Sequence, residues 1–150
     1  ITLLVVQTLA IASGAIPLYY IARHVLRNFS PLWSLGMSIF YLANPGVHAM
    51  NLYEFHMYPF VIPLTLWWWW SVEKGKLLRA VFLFILILLV RDDAAIMMAG
   101  AGLLLLLFPR ASFARKPQRL VGIAIIAVSI PWLLGMEKLG LSLSPYNVPK

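Results

Sequence analysis

The sequence predicts an all-α integral membrane protein, a polytopic helical bundle with about six spans. Three observations carry that expectation. Hydrophobic residues make up 62% of the 150 residues and charged residues 11%, where a soluble domain carries about half and about a quarter. The apolar residues are gathered into six runs, 1–22, 32–44, 59–72, 77–90, 94–108 and 120–136. The basic residues fall mainly in alternate loops between those runs, a pattern that sets orientation in a bilayer. Such a composition leaves too little polar surface for a soluble enzyme, a disordered tail or a nucleic-acid-binding module. With no cysteine in the chain, disulfides, thiolate metal sites and cysteine nucleophiles are excluded as well.

The first run opens directly on Ile1, with no initiator methionine and no basic leader. It therefore reads as a spanning helix and not as a signal peptide, and the abrupt start is expected of a piece of a longer protein. Asn44-Pro45-Gly46 ends the second run, because a residue before proline is pushed out of the helical region. The remaining runs are short. Fourteen helical residues rise about 21 Å against a hydrocarbon core of about 30 Å, so these helices must recruit flanking residues, thin the bilayer or pack inside the protein.

The stretch 77–108 has two readings. One long helix would place Arg91, Asp92 and Asp93 near the midplane at roughly 2.5–3.5 kcal/mol per charge. Two helices with the triplet at their turn avoid most of that cost and are preferred. The loop charges agree. With the N-terminus outside, the cytoplasmic loops hold Arg23, Arg27, Lys74, Lys76, Arg79, Arg110, Arg115, Lys116 and Arg119, nine of the 12 basic residues. The opposite side keeps Arg91, Lys138 and Lys150. Trp67 to Trp70 then close the third span beside a basic loop, where an interfacial aromatic belt belongs, and Tyr19 and Tyr20 sit near the inner end of the first. His24 reads as a solvated flanking residue. Pro17, Pro63 and Pro131 lie within apolar runs, which membrane helices tolerate when neighbours satisfy the freed carbonyls. Ala99-Gly100-Ala101-Gly102 suits close helix packing.

The chemistry-bearing residues gather on the outer side. Segment 44–59 carries His48, Asn51, Tyr53, Glu54, His56 and Tyr58, and the other outer turn is Arg91-Asp92-Asp93. Carboxylates and imidazoles exchange protons near neutral pH, and Arg91 offers a fork of donors for a phosphate. Glu54, His56, Asp92 and Asp93 are thus candidate catalytic groups, Arg91 a candidate phosphate contact, and His48 and Tyr53 candidate substrate contacts. Should the two segments meet, the kit suits a phosphorylated ligand at the outer leaflet. A purely structural reading stands beside this one: Arg91 pairs with a neighbouring aspartate to ease a tight turn, and the histidines are satisfied by carbonyls. A divalent ion held by Glu54, His56 and the aspartates is a third option, because these donors suit hard and borderline metals, although Glu-x-His is not a specific signature.

In order, the motifs P-L-Y-Y-I-A-R (17–23), Y-L-A-N-P-G (41–46), Y-E-F-H-M-Y-P (53–59) and L-V-R-D-D-A-A (89–95) resemble those of the predicted membrane proteins known as domain of unknown function 2079 (DUF2079), over roughly residues 1–136. That family is grouped with the GT-C glycosyltransferases. The resemblance implies a GT-C-like bundle facing outward, a polyprenyl-phosphate-linked sugar as donor, and membrane lipid as surroundings, in a multi-pass prokaryotic plasma-membrane protein. The family's usual Lys-Glu-Asp triplet is here Arg91-Asp92-Asp93, which keeps the signs of charge. GT-C enzymes carry their catalytic aspartate in the first outer loop, a stretch expected upstream of Ile1, so the resemblance gives that role to no residue here. A transporter or flippase for an anionic amphiphile, and a non-catalytic membrane subunit, are the alternatives.

Overall fold

The computed structural model describes residues 2–52, 57–91, 93–108 and 115–138. Among these residues the secondary structure is helical: α1 (Thr2–Ser13), α2 (Ala15–Val25), α3 (Pro31–Ala43), α4 (Pro45–Leu52), a 3-10 turn (Tyr58–Phe60), α5 (Val61–Glu73), α6 (Leu77–Val90), α7 (Ala94–Leu107) and α8 (Arg115–Lys138). The chain packs as two compact units, Ile1–Leu83 and Phe84–Lys150. The boundary lies inside the continuous apolar helix α6. It leaves no linker or shift in composition, which is why the sequence reads as one domain.

In the first unit, α1 and α2 together form a 24-residue apolar stretch, Thr2–Val25, long and apolar enough to cross a membrane. Its helix is interrupted at Gly14. Pro17 has no N–H to give to the Ser13 carbonyl, and the Gly14 N–H bonds back to the Ile11 carbonyl at 3.0 Å. Side chains from other helices stitch the interruption. Tyr41 Oη on α3 donates to the Ile11 carbonyl at 2.9 Å and Ser38 Oγ to the Ala15 carbonyl at 3.1 Å. Trp67 Nε1 on α5 donates to Ser13 Oγ at 3.4 Å, and that hydroxyl donates to the Ala10 carbonyl. A Cβ at position 14 would lie 2.7 Å from Tyr41 Oη and 3.2 Å from the Ile11 carbonyl oxygen, so a side chain there would press on the Tyr41 bond.

α3 starts at Ser30, whose side chain accepts the Leu32 N–H, with Pro31 in the first turn. It stops before Asn44, which is extended as a residue preceding proline should be. The same motif then starts a helix that its breaker residues conceal. Asn44 Oδ1 accepts the Gly46 N–H at 2.8 Å and Pro45 takes the first helical position. The first part of what reads as a loop is therefore α4. In α5, Pro63 stands within the first turn, where its missing N–H costs nothing. The helix closes on Gly75, with φ of 67°, and Lys76 N–H returns to the Ser71 carbonyl. This is a glycine-dependent Schellman stop.

On α1 and α3, burial runs opposite to that of a water-soluble bundle. α1 buries Gln7 and α3 buries Ser34 and Ser38, while Leu3, Leu9, Leu32, Trp33, Ile39 and Phe40 are exposed. α6, which spans the boundary of the two units, keeps an ordinary apolar stripe instead: Ala80 and Leu83 are buried in its first part and Phe84, Ile87 and Leu88 in its second.

In the second unit α7 and α8 pack through a glycine contact. A Cβ on Gly102 would lie 2.9 Å from the Gly122 carbonyl oxygen, and one on Gly122 2.8 Å from the Gly102 carbonyl oxygen. Met98 and Leu105 on α7 and Ile125 and Ser129 on α8 are buried around this approach. Gly102 is thus the member of the small-residue run that makes the contact; Gly100 meets nothing within 4 Å.

Candidate functional site

The candidate residues fall in both units. In the first, His48 lies on α4, and its side chain is outside the described set. Tyr53, Glu54 and His56 lie outside the described residues, as does Asp92 in the second unit. The two remaining candidates are brought together. α6 ends at Val90 and α7 begins at Ala94, and between them Arg91 and Asp93 form a two-pronged ion pair, Nε to Oδ1 and Nη2 to Oδ2. Both side chains are about a third to a half exposed. The pair answers a local need, since it neutralises two charges placed between helices made almost wholly of Leu, Ile, Val, Ala and Met. It also fixes the plane of the guanidinium, the group best shaped to receive a phosphate. Among the described residues no cluster of three or more His, Asp or Glu side chains is placed to hold a metal ion.

A second polar cluster, in the first unit, was not among the sequence candidates. It joins the ends of α2 and α5 at the basic face. His24 Nε2 stands 3.9 Å from Glu73 Oε2, and the Glu73 side chain is only 5% exposed. His24, which reads in sequence as a solvated flanking residue, thus faces a buried carboxylate. The sequence held one signal for it: Glu73 is the acidic residue that interrupts an otherwise basic loop. The tryptophan run beside it divides its tasks. Trp68 is buried in the unit at 1% exposure, so it packs as core. Trp70 stacks on Tyr20 with centroids 5.2 Å apart and carries Lys74 Nζ over its ring at 4.6 Å. Trp67 carries the Arg79 guanidinium at 4.7 Å. An isolated aromatic belt has no such fixed partners.

Among the described residues, helices with apolar side chains turned outward and one stretch of span length are features of a membrane protein. The profile of the predicted membrane protein family DUF2079 matches residues 1–139. The chain belongs to that family. No curated protein and no solved structure matches it.

Proposed function

We propose that the protein is a multi-pass membrane protein of the prokaryotic plasma membrane that works as a GT-C-like glycosyltransferase, taking a sugar from a polyprenyl-phosphate donor at the extracytoplasmic face. The observation that carries the multi-pass reading is the inverted burial of α1 and α3. In water, exposing Leu32, Trp33 and Phe40 while burying Ser34 and Ser38 forfeits the hydrophobic effect. In hydrocarbon the arrangement costs nothing, because lipid chains are as apolar as leucine and helices associate through small and polar side chains. The positive-inside rule favours the basic loops on the cytoplasmic side and the Arg91–Asp93 turn on the outer side.

For the chemistry, the support is the donor set. Arg91, held by Asp93, suits the phosphate of a departing lipid carrier, whose developing charge a fixed guanidinium stabilises. Glu54, His56 and Asp92 are proposed to orient the acceptor or to hold a divalent ion, and His48 and Tyr53 to contact the substrate. No residue of this chain is assigned as the base. The test uses full-length protein in membranes supplied with a polyprenyl-phosphate sugar. The wild type is expected to yield a new glycoside, and the variant with Arg91, Asp92 and Asp93 all changed to alanine is expected to lose it. Normal transfer by that variant would sink the assignment.

One observation favours a second reading, transport of an anionic amphiphile. The interruption at Ser13–Gly14 falls midway along the apolar stretch Thr2–Val25, and transporters build their sites on such discontinuous helices. Product analysis separates the two, since a transporter returns its ligand unchanged.

A further inference from the structure

We propose that the basic, indole-lined end of the first unit binds the phosphate headgroup of an anionic phospholipid, with Lys74 and Arg79 as its cationic contacts. The inference rests on the family's membrane setting and not on the transferase reading, which concerns the opposite face. Five lysine and arginine side chains lie in the segments that form this end: Arg23, Arg27, Lys74, Lys76 and Arg79. The one carboxylate there, Glu73, faces His24. Lys74 and Arg79 are exposed, and no ion pair engages either among the described residues. Their positions are nevertheless fixed. Lys74 sits over Trp70, whose ring is stacked on Tyr20, and Arg79 sits over Trp67, whose indole N–H is bonded to Ser13. A guanidinium over an indole keeps its in-plane N–H donors for phosphate oxygens.

What selects a lipid over a soluble anion is the next stretch of surface. α6 leaves this end with Leu77, Leu78 and Val81 exposed, Leu78 to 88%. Cations held beside indoles and followed by bare aliphatic side chains match the order of headgroup, interface and acyl chain. An acidic protein or a nucleic acid would have no use for the leucines.

The test is competitive quenching of tryptophan fluorescence by brominated lipids, using the full chain in nanodiscs with Trp33→Phe and Trp132→Phe as background. Brominated phosphatidylglycerol is expected to quench in preference to brominated phosphatidylcholine. A juxtamembrane cation contributes roughly fivefold to binding of an anionic surface, so Lys74→Gln with Arg79→Gln should reduce the preference by about 25-fold. The charge-keeping pair Lys74→Arg with Arg79→Lys should retain most of it, which separates loss of charge from loss of fold. Equal preference in the wild type and the glutamine variant overturns the proposal. So does a wild type that does not distinguish the two lipids, or displacement of the lipid by soluble glycerol 3-phosphate.

Discussion

Replacing Gly102 with alanine should destabilise the α7–α8 pair, and replacing Gly100 should not. The two substitutions add the same methyl to the same helix two residues apart, so helix propensity cancels in the comparison. At position 102 the new Cβ would meet the Gly122 carbonyl oxygen at 2.9 Å, Ile126 Cγ1 at 3.0 Å and Ile125 Cγ2 at 3.2 Å. The first of these belongs to backbone and cannot rotate away. Relief requires α8 to withdraw by about half an ångström, and a gap of that order forfeits about a quarter of the dispersion energy of each contact it opens. Met98, Leu105, Ile125 and Ser129 are buried around this approach and would share the loss. Overpacking of this kind costs about 1–3 kcal/mol. Position 100 is open, with nothing within 4 Å, so alanine there should gain about 0.5–1 kcal/mol from reduced chain entropy. Because Gly102→Ala shares that gain, the expected separation between the two single methyl groups is the overpacking cost alone, about 1–3 kcal/mol. Equilibrium unfolding of the purified protein in mixed micelles, followed by helical circular dichroism, measures it. If Gly102→Ala unfolds with Gly100→Ala, the close glycine approach is not the determinant of this packing. Gly122→Ala should repeat the Gly102 result, because its Cβ would meet the Gly102 carbonyl oxygen at 2.8 Å.

Three further outcomes follow from the first unit. Gly14→Ala should destabilise by more than Tyr41→Phe, which loses one hydrogen bond worth about 1 kcal/mol; the double variant should cost less than the sum, because removing the hydroxyl that lies 2.7 Å from the new Cβ relieves the clash. Gly75→Ala should cost about 1–2 kcal/mol, since its φ of 67° places an L side chain in the left-handed region, and the same unfolding measurement reads it. The absence of native cysteine makes topology testable: in intact cells, a membrane-impermeant maleimide should label Met57→Cys and not Lys76→Cys, and the reverse result would invert the proposed orientation.

Helical apolar segments were legible because each is a run of residues that cannot be hydrated, a property of composition alone. The short helix α4 was not, because Asn-Pro-Gly is at once a stop for the helix before it and a start for the helix after it. Sequence registers the first meaning, and only the bond from Asn44 Oδ1 to the Gly46 N–H reveals the second. The Arg91–Asp93 pair was within reach as one of the structural options, being two residues apart. The pairing of His24 with Glu73 was not, since those residues are brought together by the packing of α2 against α5. The tryptophan run shows the same limit. An interfacial belt and a packed core call for the same residue type, and the buried Trp68 between two cation-bearing neighbours uses the run for both.

The interruption at Gly14 and the outward-facing leucines have one physical origin. A helix surrounded by hydrocarbon can lose a backbone bond only where protein groups replace it, since no water is there to do so. Around Gly14, Tyr41 and Ser38 on α3 donate to the Ile11 and Ala15 carbonyls, and Trp67 donates to the Ser13 hydroxyl. Turning those groups inward forces the large aliphatic side chains of α3 outward, which is free in lipid and ruinous in water. The inverted burial of α3 is therefore the counterpart of the broken first helix, and the two should fail together. Ser38→Ala with Tyr41→Phe would strip α3 of its side-chain bonds to the Ile11 and Ala15 carbonyls of that helix. On this argument the double variant should lose stability in micelles although each change makes α3 more apolar, whereas a soluble bundle would be expected to gain.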